Sequence, residues 1–324
     1  MRDDSSFCGR AALERWAPRP AAALDALETA CWRAAAAAGW VDLFDLTARA
    51  VAGLHGLAPL ERPVALGPSP WAEVDATRWR ELEALDADQR RALAFAEQMS
   101  FDVASLGATE REALYEALGT RAPIFAQASY GADLLPRAWA ALDVLFGESE
   151  PRRGSWAAGP TPDEEPDAVD LARAIDDLIR VVPSLQALDP VTTELVRLLG
   201  ARRHRCRICQ SLRSRSALVA GADDALFAAV DQYATSDLEP AQRAALAFAE
   251  AMLGVPGRVD LDRARALLEH FPPAACVELV LDVTRNAANK VAVALAADAP
   301  RVETGYEIYD VTPEGELLYG LDAP

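Results

Sequence analysis

The chain has 324 residues, enough for two ordinary domains, and 51% of them are apolar. A formal net charge of −18 excludes a nucleic-acid surface, which needs a basic face to neutralise phosphates. Alanine and leucine dominate while β-branched and aromatic residues are sparse, so the composition predicts an all-α protein. The apolar run at residues 34–38 is far short of the roughly 20 residues that span a bilayer. Acidic residues at the N-terminus stand where a signal peptide would be basic, which predicts a cytoplasmic protein with no membrane partner.

In chain order, the first predicted helices run past Glu28 to Trp40 and then through LFDLTAR, residues 43–49. A proline-rich stretch at residues 59–70 reads as an inserted loop. DADQRRALAFAE at residues 86–97 and TEREALYEAL from Thr109 follow, in a first copy that reads as helix after helix to about Phe146. These segments return. EPAQRAALAFAE at residues 239–250 repeats the first, and DRARALLEHF from Asp262 repeats the second at the same spacing. Upstream, Glu28 lies twelve residues before Trp40 as Glu194 lies twelve before Cys206. The expected organisation is therefore a helical repeat over residues 1–147, a Pro, Gly and acid-rich linker over 148–168, a second repeat over 169–300 and a tail over 301–324. In the second repeat, residues 241–253 carry an amphipathic stripe of Ala245, Phe248, Ala249 and Met252. Residues 274–297 read as one long helix, and the tail around Pro313 and Gly315 reads as a short hairpin.

Five cysteines at irregular spacing do not form a disulfide framework, and only Cys206-Arg-Ile-Cys209 has a spacing with chemical meaning. If Cys206 opens a helix, Cys209 lies one turn on, within disulfide reach. Arg202, Arg203, Arg205, Arg207, Arg213 and Arg215 crowd this pair in an otherwise acidic chain, and nearby positive charge favours a thiolate. Structural zinc takes four ligands, whereas the pair with His204 supplies three, so no metal is expected. A structural pair of buried thiols is the competing reading. Cys31 and Cys276 lie in small-residue helices and read as core.

Glu194-Leu-Val-Arg-Leu, Cys206-x-x-Cys209, SLRS, the turn at residues 217–221 and the Asn286-x-x-Asn289-Lys290 signature together resemble the alkylhydroperoxidase D-like branch of the carboxymuconolactone decarboxylase superfamily. The resemblance covers residues 190–298, and residues 28–146 in degenerate form. It implies a peroxide substrate, Cys209 as the attacking thiol, Cys206 as the resolving thiol and Glu194 as a proton-relay acid. It also implies a dithiol or lipoylated protein as reductant, no cofactor, and a homo-oligomer. Arg213 replaces the family's histidine and cannot act as a base, though it can stabilise a thiolate. His204 is the imidazole that could substitute, against a plain reading as a solvent-facing turn residue. Trp40, Leu43 and Thr47 occupy the matching positions of the first repeat, which therefore cannot perform dithiol chemistry. Two other functions stay open: a cofactor-free decarboxylase or isomerase of a lactone-like acid, and a non-catalytic redox sensor or assembly protein.

Overall fold

The computed structural model describes residues 8–148, 169–312 and 314–324, so most of the expected linker lies outside the described residues. The first half runs α1 (Gly9–Trp16), α2 (Pro18–Ala38), α3 (Val41–Leu54), α4 (Ala87–Asp102), α5 (Ala108–Leu118) and α6 (Ala122–Phe146). The second runs α7 (Val169–Val181), α8 (Pro190–Arg203), α9 (Arg207–Gln210), α10 (Arg215–Val219), α11 (Asp224–Ala228), α12 (Pro240–Leu253), α13 (Leu261–His270), α14 (Pro273–Asn286) and α15 (Asn289–Ala294). The fold is all-α, with one small sheet of β1 (Leu212–Ser214), β2 (Glu307–Val311) and β3 (Leu317–Leu321).

Local chemistry sets these bounds. Asp86 and Gln89 form a capping box at the start of α4, as Glu239 and Gln242 do at α12, where Pro240 takes the first helical position. Gly39 ends α2 in the left-handed region at φ 75°, which a side chain would resist, and lets the chain reverse into α3. The ALAFAE segments bury matching faces. Ala92, Leu93, Phe95, Ala96 and Met99 are enclosed on α4, and Ala245, Leu246, Phe248, Ala249 and Met252 on α12. Each fully buried phenylalanine of this set contributes about 1.5–3 kcal/mol of transfer free energy.

The halves share one continuous apolar core, and α6 lies centrally, touching α14, α13, α12 and α15 across it. The expected single helix over residues 274–297 is instead two helices, α14 and α15. At the break, Lys290 N–H bonds back to Ala287 and Val291 N–H to Ala288, a tightened three-residue spacing. The tight turn brings Lys290 into the core, where its Nζ lies 2.5 Å from Asp133 Oδ2 on α6. The residue 59–70 loop holds a short 3₁₀ turn at Val64–Leu66.

The tail forms the expected hairpin, β2 antiparallel to β3. Its placement was not readable from the sequence. β2 pairs in parallel with β1, the three residues that follow Ser211, with Ser214 opposite Tyr309. The last strands are thereby tied to the segment just after the cysteine pair. Among the described residues, no helix is long and apolar enough to cross a membrane.

Candidate functional site

Twelve residues of continuous helix would separate Glu194 from Cys206 by about 18 Å, so the two can share a site only if the chain turns. It does. α8 ends at Arg203, Arg205 takes a left-handed φ of 50°, and Cys206 N–H bonds to Ala201 O at 2.9 Å. Cys206 then caps the four-residue α9, and its Sγ accepts from Cys209 N–H at 3.2 Å. The Sγ atoms of Cys206 and Cys209 lie 2.33 Å apart, with Cα atoms at 5.3 Å, and form a disulfide.

The two sulfurs differ in access. Cys206 is fully buried, whereas Cys209 is part-exposed and lines a cavity of about 450 Å³. The cavity wall is mostly apolar, from Ile175 and Ile179 of α7, Ile208, Val291, Leu295 and Leu317. Its polar members include Gln127, Arg197, Arg285, Asn286, Asn289 and Tyr309. Both halves and the C-terminal hairpin contribute to it.

Asn289 reaches the part-exposed sulfur. Its Nδ2 donates to Cys209 Sγ at 3.6 Å, and its Oδ1 lies 2.7 Å from His204 Nδ1. His204 is buried, not solvent-facing, and burial together with the Lys290 ammonium pushes its pKa down to about 3. It is therefore neutral at ordinary pH. With the proton on Nδ1 it donates to the Asn289 carbonyl, which turns the amide N–H groups toward sulfur. Lys290 carries this chain into a buried cluster. Asp133 takes Lys290 Nζ on one oxygen and, on the other, Arg137 at 2.6 Å and the Ser100 hydroxyl at 2.7 Å, and His55 lies 2.9 Å from that hydroxyl. Gly257 is needed here, because a Cβ on it would sit 2.5 Å from the Arg137 guanidinium. Its N–H donates to His55 Nδ1 at 2.9 Å.

Glu194 is buried and fully engaged. Arg197 grips both its oxygens at 2.6 and 2.7 Å, Tyr309 donates to it at 3.0 Å and Ser214 N–H at 3.2 Å. Arg197 also donates to the carbonyls of Cys209 and Leu212, at 2.8 and 3.0 Å. Glu194 thus reaches the cysteine segment through Arg197. Burial pushes the Tyr309 phenol up, which keeps it a proton donor to Glu194.

The arginine cluster is dispersed. Arg202 pairs with Asp231, Arg203 with Glu250 and Arg207 with Asp298, while Arg205 and Arg215 are exposed. Arg213 stacks between Phe227 and Tyr306, at 5.4 and 5.0 Å, and donates to the carbonyls of Gln210 and Leu212. The end of α8 and the turn into α9 splay these side chains toward other partners. The cations that line the Cys209 cavity are Arg197 and Arg285. Arg213→Ala should accordingly leave the alkylation pKa of Cys209 unchanged while lowering the melting temperature by about 1–2 °C through lost stacking, about 1 kcal/mol. Thermal melts and iodoacetamide rates against pH check both halves of that expectation.

Sequence reasoning placed Glu194, Cys206, Cys209 and His204 in one region and missed Arg197, Asn289 as a sulfur ligand, Arg285 and Tyr309. The Glu-x-x-Arg spacing on a helix was a readable signal for Arg197. Tyr309 had none, since only the sheet pairing brings it in.

The chain is 40% identical over 228 residues, 70% of its own length and 79% of the relative's, to "Uncharacterized protein Rv2313c" of Mycobacterium tuberculosis strain H37Rv. The "Uncharacterized protein MT2376" of strain CDC 1551 matches to the same extent. No protein-family model and no solved structure matches the chain.

Proposed function

The chain belongs to the family of these two mycobacterial proteins, and we propose that it is a dithiol peroxidase or thiol–disulfide oxidoreductase acting through Cys206 and Cys209. One observation carries the reading: a sulfur at disulfide distance from a buried partner opens onto an apolar cavity and receives an amide hydrogen bond. Structural disulfides have no need of a ligand-sized chamber at one sulfur. The alkylhydroperoxidase D-like resemblance supports it, and so do helix bounds that run in step between the halves, α4 with α12 and α5 with α13.

In the reduced protein the Cys209 thiolate attacks the terminal peroxide oxygen and the O–O bond breaks. The alkoxide leaves and takes a proton as the alcohol, and Cys209 becomes a sulfenic acid. Cys206 then attacks that sulfur, water leaves, and the disulfide forms. A dithiol, free or lipoyl, attacks the exposed Cys209 sulfur and resets the pair, leaving as its own disulfide. Asn289 Nδ2–H and the Arg197 guanidinium favour the thiolate over the thiol. Glu194 and His204 are positioning residues, holding Arg197 and Asn289. The resemblance further implies assembly into a homo-oligomer.

The test is peroxide consumption by the reduced protein with dihydrolipoamide in excess. Many turnovers per chain are expected. One oxidation per chain, with no turnover, would instead establish a sensing disulfide.

Asn289→Leu should raise the apparent pKa of Cys209 by about one pH unit, the loss of one hydrogen bond to a charged acceptor. Because His204 stays neutral, the alkylation profile should carry no histidine step between about pH 5 and 8. Iodoacetamide rates against pH on the reduced protein measure both. An unchanged pKa in Asn289→Leu removes the amide from the mechanism.

A further inference from the structure

A second cavity, of about 610 Å³, lies behind the redox site between α8, α14 and β2. We infer that it binds a small organic cation carrying N–H donors, a protonated amine or a guanidinium compound. The inference is independent of the redox reading.

Five carboxylates line this cavity, Asp189, Glu194, Glu278, Asp282 and Asp310, against the single arginine Arg285. Most are engaged in the fold. Asp189 caps α8 through Thr192 N–H, Glu194 is saturated as described, and Asp310 accepts from the Ser216 hydroxyl and Val311 N–H. Glu278 uses Oε2 for the N–H groups of Ala187 and Leu188, at 2.6 and 3.1 Å. Asp282 is the exception. It is 2% exposed, its Oδ1 accepts from Arg285 Nε at 2.8 Å, and its Oδ2 has no hydrogen-bond partner.

An unmet carboxylate oxygen in so enclosed a place is costly, and a donor brought by a ligand removes that cost. The field points the same way. Burial and the neighbouring Asp282 push Glu278 up to about 7, and burial pushes Asp282 up as well. The cavity thus gathers carboxylates that burial keeps from ionising freely, and a cation relieves the repulsion. An organic cation with N–H groups supplies the hydrogen-bond donor that Asp282 Oδ2 lacks. Pro183, Leu185 and Val311 supply apolar wall for its carbon chain, and the volume suits a ligand of that size. Tyr309 and Arg285 line both cavities, so an occupant here touches the back wall of the Cys209 chamber.

Agmatine, with a guanidinium at one end and an ammonium at the other, is the probe. Isothermal titration of the full chain in about 0.15 M KCl, where surface attraction is screened beyond roughly 8 Å, should show saturable one-site binding. Asp282→Asn should weaken it about tenfold or more, the loss of one charged hydrogen bond. Gln186→Lys, at an exposed position on the cavity rim, should do the same by placing a tethered ammonium in the acidic field. Tetramethylammonium, which has charge but no N–H, should bind at least about tenfold more weakly than agmatine. Absence of saturable binding to the wild type overturns the proposal, as do equal affinities for the two cations. Full agmatine affinity in folded Asp282→Asn or Gln186→Lys also overturns it. Circular dichroism reports folding, and Gln186→Lys decides the matter if Asp282→Asn does not fold.

Discussion

Cys209→Ser should abolish peroxide turnover, by at least about a thousand-fold, because the variant has lost the nucleophile itself. A serine hydroxyl at that position is un-ionised, and one amide donor and a nearby guanidinium are not enough to change that. Cys206→Ser should behave differently. Cys209 keeps its cavity and its hydrogen bond from Asn289, so one peroxide per chain is still reduced and the cycle then stops at the sulfenic acid. The pair of variants tests a division of roles by access, in which the part-exposed sulfur attacks and the buried one resolves. Stopped-flow peroxide consumption, with dimedone trapping of the sulfenic acid in Cys206→Ser, reads both. Equal bursts in the two variants would show that either thiol attacks and that burial does not assign their roles. Full turnover in Cys209→Ser would end the reading altogether.

The helices were legible because their signals are local. The apolar spacing of Ala245, Phe248, Ala249 and Met252 lies within the helix it determines, and α12 follows it. The cysteine pair was legible for the same reason, since three residues of spacing nearly dictate its geometry. The charge environment was not. Six arginines adjacent in sequence looked like one field, but a helix end and a turn send them in different directions, to Asp231, Glu250, Asp298 and the ring pair Phe227 and Tyr306. The groups that face Cys209 come from α8, the α14–α15 break and β2, elements separated by up to about a hundred residues of chain. The break itself is a tertiary effect: helix propensity favours continuing through Ala287 and Ala288, and the tightened turn comes with the buried Lys290–Asp133 pair. Asn289 owes its place beside the sulfur to that turn.

Asp133 holds this arrangement together, and Asp133→Asn should be the most destabilising single change outside the apolar core. The side chain is 3% exposed and pairs with Lys290 and Arg137, both also buried. Burial alone would raise its pKa, but Arg137, Lys290 and His55 together hold the carboxyl well below its ordinary range. Removing the charge leaves two buried cations without a counter-charge, a loss of about 3–5 kcal/mol, and the apparent melting temperature should fall accordingly. The sign of the pH dependence follows. A depressed carboxylate contributes stability that is present above its unfolded pKa, near 3.8, and is lost only as pH falls through the lower folded value. The wild-type advantage over Asp133→Asn should therefore be constant from neutral pH to about pH 5 and shrink in stronger acid. Lys290→Met in the Asp133→Asn background should restore part of the stability, since one uncompensated cation is then gone. It should not restore the wild-type alkylation rate of Cys209, because the Lys290–Asp133 pair, one of the contacts that anchor the α14–α15 turn beside the Asn289–His204 bond, stays broken. Thermal melts of the single and double variants across pH, with alkylation of Cys209 in each, measure the two effects separately. Recovery of both together would mean that Lys290 stabilises the core without placing Asn289.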